Sequence, residues 1–244
     1  PESEAYPALY QDSASRQTAD KAIKILQGRC VGGSTTVNWT SSFRTPPATL
    51  QWWQTAHGLK NLSVDAMAPW FAAMEQRLHV GLWPLPPNDT NAALARGAAQ
   101  LGIPVAVIPR NVKMCWNLGY CGLGCPTNAK QSMLLTTIPA ALTRGATLIS
   151  RLRAEKLEFS GNKAVALEAV ALKPDGLLPS GIQVSLRARH FVLAGGAINT
   201  PALLMRSHAA DPHGRLGKRT FLHPTLISAA LFDKPIRAYA GAPQ

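Results

Sequence analysis

Apolar positions recur at helical spacing over residues 67–78, where Met67, Trp70, Phe71, Met74 and Leu78 fall on one stripe. Ser63 or Asp65 can cap that helix, and Pro69 fits it only within the first turn. The stripe is read as core packing, as are Trp39, Trp52, Trp53 and Trp83, because large aromatics mostly pack. Leu50 to His57 predicts a shorter helix. Residues 81–90 form a proline-punctuated loop. Thr90 to Leu101 is an alanine-rich helix stopped by Gly102, with VAVIP (105–109) following as a strand. Ser132 to Arg144 predicts a helix interrupted or ended near Pro139.

From Ala146 onward the period shortens towards two. TLIS, RAEKLEF, AVALEAVAL, IQVSLRA and HFVLAGG read as short strands, with turns at Ser160-Gly161-Asn162 and at Lys173-Pro174-Asp175-Gly176. His190 to Ala194 is the last of them. Gly195 and Gly196 then turn the chain into a helix, with Thr200 as N-cap and Pro201 in the first helical position. Residues 1–27 are polar and close on a mixed helix or strand over 19–28. Asn111 to Asn128 is a long loop of a length that is usually functional. The pattern predicts an α+β or α/β fold with several helices and a β-meander.

The chain of 244 residues is long enough for one large domain or two small ones. No apolar run approaches the roughly 18 residues that a membrane helix needs. The opening at Pro1 carries no signal-like segment, so we expect a chain processed or cut from something longer. Twenty-five Lys and Arg against 13 Asp and Glu give a net charge of +12. The basic residues are scattered and no aromatic-interleaved basic helix appears, so no nucleic-acid partner is expected. Cys115, Cys121 and Cys125 are spaced C-x5-C-x3-C-P. That pattern is open to a disulfide, to packed thiols, or to an iron–sulfur cluster in an electron-transfer component.

The most specific string is GRCVGGSTTVNWTSSFRTP, residues 28–46. Paired glycines let a backbone approach a flat or anionic ligand where a Cβ would collide. Hydroxyls beside them and an arginine, Arg44, suit a pyrophosphate. The string resembles the flavin-covering loop of the glucose-methanol-choline (GMC) oxidoreductases, G-x-x-x-G-G-[ST]-[ST]-x-x-N. The stretch QWWQTAHGLKNLSVDAMAPWFAAMEQRL is similar to that family's tryptophan-containing segment, and CGLGCPTNAKQS resembles its G-x-x-x-S helix entry. RHFVLAGGAINTPALLMRS resembles the second family signature, and LGKRTFLHP the passage ending in His-Pro.

The resemblance implies an FAD-dependent oxidoreductase that takes a hydride from the hydroxyl-bearing carbon of a small-molecule alcohol. It implies an FAD-binding domain over residues 1–224 and the start of a substrate domain over 225–244. Gly32, Gly33 and Ser34 match positions near the pyrophosphate and ribityl chain, and Arg29 and Thr35 are counted with them as cofactor-binding. Asn38, Trp39 and Ser41 match positions along the flavin ring, Ala154 a strand beside the adenine, and Gly195 and Gly196 a further wall. Some relatives attach the flavin through a histidine where this chain has Val37, so non-covalent FAD is expected.

Two family features have no counterpart here. One is the G-x-G-x-x-G fingerprint, and the other is a histidine pair acting as base. None of His57, His79, His190, His208, His213 and His223 has that setting, so no catalytic residue is assigned. The chain is expected to be an internal segment that is inactive in isolation. The runner-up is a non-catalytic or partner-dependent subunit that keeps the fold. An aliphatic or aromatic primary alcohol is favoured over a sugar.

Overall fold

A computed structural model describes residues 2–83, 85–223 and 227–242. The chain divides into two compact units. The first runs to Thr147 and includes the residues from Phe232 on, and the second is Leu148–Leu231. The change of hydrophobic period near Ala146 coincides with that division. The boundary expected at 224/225 lies outside the described residues, as does Pro224 of the His-Pro passage.

In the first unit, α1 (Glu2–Leu9) precedes a 3-10 turn at Gln11–Ala14. The segment 19–28 forms neither helix nor strand. It makes only isolated bridges, Gln17 with Lys24 and Tyr10 with Gly28. α2 (Pro47–His57) starts at a proline, whose missing N–H costs nothing in a first turn, and ends at Gly58 with φ 63°. α3 (Val64–Arg77) is capped by Ser63, whose side chain accepts from the Ala66 N–H at 3.2 Å.

Pro69 lies beyond the first turn of α3, contrary to expectation. Its fixed φ suits a helix, and the remaining turns absorb one absent bond. The α3 stripe is not core either: Met67, Phe71 and Leu78 are half-buried, while Trp70 is 68% exposed and Met74 is exposed. Helical periodicity fixes which residues share a face and does not say what covers it.

β1 (Val80–Gly81) pairs antiparallel with β2 (Arg110–Asn111), in register Val80 with Asn111 and Gly81 with Arg110. Between them α4 (Asp89–Gln100) is capped by Asn88 and ends before Gly102, φ 68°. Residues 105–109 are not a strand. Among the described residues no neighbouring strand receives their backbone groups, and Val105 and Val107 are exposed. α5 (Thr137–Leu142) is shorter than the predicted helix, and Pro139 sits in its first turn rather than ending it.

In the second unit, β3 (Leu152–Ser160), β4 (Lys163–Leu172) and β5 (Pro179–Arg187) form an antiparallel meander in the order β3-β4-β5. Gly161, φ 58°, turns β3 into β4, and the Lys173 carbonyl accepts from the Gly176 N–H in the next turn. TLIS and HFVLAGG are not strands. Val192 is 88% exposed, as expected for an apolar run without a strand beside it.

α6 (Gly196–Arg206) begins earlier than predicted, with Gly195 at the N-cap position. Thr200 lies inside it, where its hydroxyl accepts from the Gly195 N–H at 2.9 Å. α6 packs on β3 through Ser207 and Leu203. The buried Ser207 hydroxyl donates to Leu203 O (2.7 Å) and accepts from Leu157 N (2.8 Å). Leu157, Ala166, Ala169, Val170 and Leu203 form this unit's core.

Candidate functional site

Residues 28–41 fold on themselves before they meet anything else. The Gly33 N–H donates to Cys30 O at 2.8 Å, and Gly32, φ 92°, leads into a 3-10 turn over Gly33–Thr36. The hydroxyls hold this shape. Ser34 Oγ accepts from the Gly28 N–H at 3.0 Å, Thr35 Oγ1 donates to Gly32 O at 2.6 Å, and Thr36 Oγ1 donates to Val31 O at 3.1 Å. Thr35 Oγ1 also accepts from the Met133 N–H at 3.0 Å, which ties the loop to the segment before α5.

The glycines have separate reasons. A Cβ on Gly28 would stand 2.7 Å from the Gly33 backbone, and one on Gly32 would stand 2.6 Å from Thr36 Oγ1. A Cβ on Gly33 would enter open space, although φ 57° there disfavours a side chain.

The loop has two faces. Thr36, Val37 and Thr40 are buried, whereas Ser34, Asn38, Trp39 (48%) and Ser41 are exposed. Beneath the buried face lie two cations that sequence reasoning missed. Lys130, 3% exposed, donates to Thr36 O (2.9 Å), Asn38 O (2.6 Å) and Cys121 O. Arg110, 1% exposed, donates from Nε to Thr40 Oγ1 (2.7 Å) and from Nη2 to Trp39 O and Cys121 Sγ, both at 3.3 Å. Its guanidinium carbon lies 4.5 Å from the Trp83 ring centroid, a cation–π contact.

Burial pushes the Lys130 ammonium down to about 8, against the attraction of the nearby Cys121 and Cys125 thiols. The sequence held a signal for both residues. Lys130 is the one charged residue between Met114 and Thr143, and Arg110 the one between Gly97 and Val112. A lone charge in an otherwise uncharged stretch either reaches solvent or is buried with partners.

All four cysteines are free thiols. The Cys115 sulfur accepts from the Asn117 N–H and that of Cys125 from the Lys130 N–H. Among the described residues no three His, Cys, Asp or Glu side chains converge as a metal site requires. Burial raises the Cys30 and Cys115 thiols above their ordinary range.

Arg44 is placed away from the anion-binding role its position suggested. It makes a bidentate pair with Glu75 of α3, both distances 2.6 Å, and lies over the Phe71 ring. The pairing lowers the Glu75 carboxyl and raises the Arg44 guanidinium. Arg29 holds the end of α1, with its N–H on Leu9 O and Nη2 on Pro7 O. Of the tryptophans read as core, Trp83 is buried, but Trp39 and Trp52 (55% exposed) are not. Ala154, Gly195 and Gly196 belong to the second unit. Ala154 pairs with Ala169 beside a β-bulge, and the two glycines are exposed at the start of α6.

Residues 6–225 match the model of the GMC oxidoreductase family. The chain is 30% identical over 238 residues to an uncharacterized GMC-type oxidoreductase of Sinorhizobium fredii, covering 97% of this chain and 46% of that protein. It is 27% identical over 239 residues to a long-chain-alcohol oxidase of Arabidopsis thaliana, covering 96% of this chain and 32% of that protein. The chain thus spans less than half the length of these relatives. Among solved structures, pyridoxine 4-oxidase from Mesorbium loti superposes with a TM-score of 0.52 at 21% identity, over 75% of this chain and 37% of that one, a likeness of fold.

Proposed function

The chain belongs to the GMC oxidoreductases, and on that basis we propose that it is the flavin-holding part of an FAD-dependent enzyme oxidising the CH–OH group of an alcohol. The observation that carries this reading is the outward face of the 28–41 loop. Ser34, Asn38, Trp39 and Ser41 are exposed on it, and Gly33 faces open space where any other residue would place a Cβ. A flat cofactor needs such a surface: backbone close at hand, small hydroxyls, one amide and one aromatic ring. These residues therefore fit FAD.

Gly32, Gly33 and Ser34 would hold the phosphate side of the cofactor, with Thr35 shaping the turn and Arg29 tying its start to α1. Asn38, Trp39 and Ser41 would orient the ring. Ala154, Gly195 and Gly196 are proposed as cofactor contacts on the family resemblance alone. Bound FAD supplies the hydride acceptor. Val37 carries no nucleophile and is buried, which favours non-covalent binding. An apolar primary alcohol is the proposed substrate class, supported by the relative named a long-chain-alcohol oxidase.

Titration of the full-length protein with FAD tests the reading. Thermal unfolding should shift upward by the equivalent of about 2.7 kcal/mol at an FAD concentration ~100 times Kd. Addition of a long-chain primary alcohol under anaerobic conditions should then bleach the flavin absorbance. No shift with FAD would sink the flavin site, and a shift without bleaching by any alcohol would sink the reaction.

A further inference from the structure

A buried cation ordinarily has a carboxylate partner. Among the described residues neither Lys130 nor Arg110 lies within ion-pair distance of one. Lys130 is compensated by backbone carbonyls instead, and Arg110 by one carbonyl, a hydroxyl and a thiol, with its Nη1 left without a hydrogen-bond partner among the described residues. An ammonium has three N–H donors, and Lys130 places all three on carbonyls, those of Thr36, Asn38 and Cys121. Arg110 takes the adjacent groups, Trp39 O and Thr40 Oγ1, and reaches the Cys121 sulfur. Two cations thus hold residues 36–40 to the single residue Cys121, across sequence separations that no local turn can bridge. The carbonyls of Asn38 and Trp39 are drawn inward onto the cations, while their side chains remain exposed.

The geometry points to Lys130, assisted by Arg110, as a positioning residue that keeps the side chains of Asn38, Trp39 and Ser41 presented to the flavin. This inference rests on the flavin reading of the loop, and its test separates the two. The groups facing the ammonium are Cys30, Cys121, Cys125 and Arg110, none of them a carboxylate that could substitute for the carbonyls.

Lys130→Met keeps the length of the stem and removes every donor, leaving three carbonyls unpaired. In the full-length protein, amide exchange over residues 36–41 should accelerate ~tenfold or more, since a bond from a charged donor contributes on that scale. The Kd for FAD should rise by a similar factor, and the visible circular dichroism of bound FAD should change at saturation. Wild-type FAD affinity and dichroism in Lys130→Met, even in a less stable protein, would overturn the inference. Should Lys130→Met not fold, Thr40→Val removes one acceptor of Arg110 at nearly constant volume. It should raise exchange at Trp39–Ser41 and weaken FAD binding, and wild-type values for both would again overturn the proposal. If the wild-type protein binds no FAD, the flavin reading falls while exchange over 36–41 still decides what Lys130 holds.

Discussion

Gly28 and Gly33 belong to one glycine motif, yet a methyl group added at each meets opposite surroundings. At Gly28 it would press on the backbone of Gly33 and Ser34, which cannot move without unfolding the turn. At Gly33 it would meet open space and pay only for a left-handed backbone. Gly28→Ala should therefore destabilise the fold by about 1–3 kcal/mol through overpacking. Gly33→Ala should cost about 1 kcal/mol in stability and act chiefly on FAD affinity. Thermal unfolding with and without FAD distinguishes the two effects.

Lys130 adds a pH dependence with a definite sign. Its folded value of about 8 lies below the roughly 10.4 of an unfolded lysine, so the unfolded chain binds more protons between those limits. Below about pH 8 both states carry the charge and the slope from this group vanishes. Unfolding free energy should therefore gain an upward contribution as pH rises from 8 towards 10.4, and denaturant titrations of Lys130→Met should lack it.

At the scale of elements, helices were legible wherever a cap or stop residue marked them. Ser63 and Gly102 act within their own turns, so the start of α3 and the end of α4 followed from local chemistry, whereas α2 begins at Pro47, three residues before the expected Leu50. The β-meander was equally legible, because its strands pair with sequence neighbours through tight turns. The segments 105–109, 147–150 and 190–194 form no strand, for a related reason. An apolar β-branched run makes a strand only when another strand accepts its backbone groups, and that partner is a non-local fact.

The join of α6 to β3 depends in the same way on one buried hydroxyl. Ser207→Ala should leave the Leu157 N–H unpaired, costing about 1–3 kcal/mol. Its thermal unfolding, with faster amide exchange at Leu157, checks this.

For the whole molecule, the sequence by itself determined the family and the position of the glycine loop, whereas the exposure of Ser34, Asn38, Trp39 and Ser41 is a fact of the structure. Family and loop position depend on residue types at fixed local spacing, which a linear string records. Burial and partnership were decided by the tertiary structure. It turned the hydroxyls of Thr35 and Thr36 back onto the loop, gave Arg44 to Glu75, and left Trp70 exposed. It also brought Lys130 and Arg110 beneath residues 36–40, where three carbonyls meet the ammonium and Trp39 O, Thr40 Oγ1 and Cys121 Sγ meet the guanidinium. No periodicity encodes such contacts, because the energy of a buried charge depends on every group folded around it and not on the residues beside it in the chain.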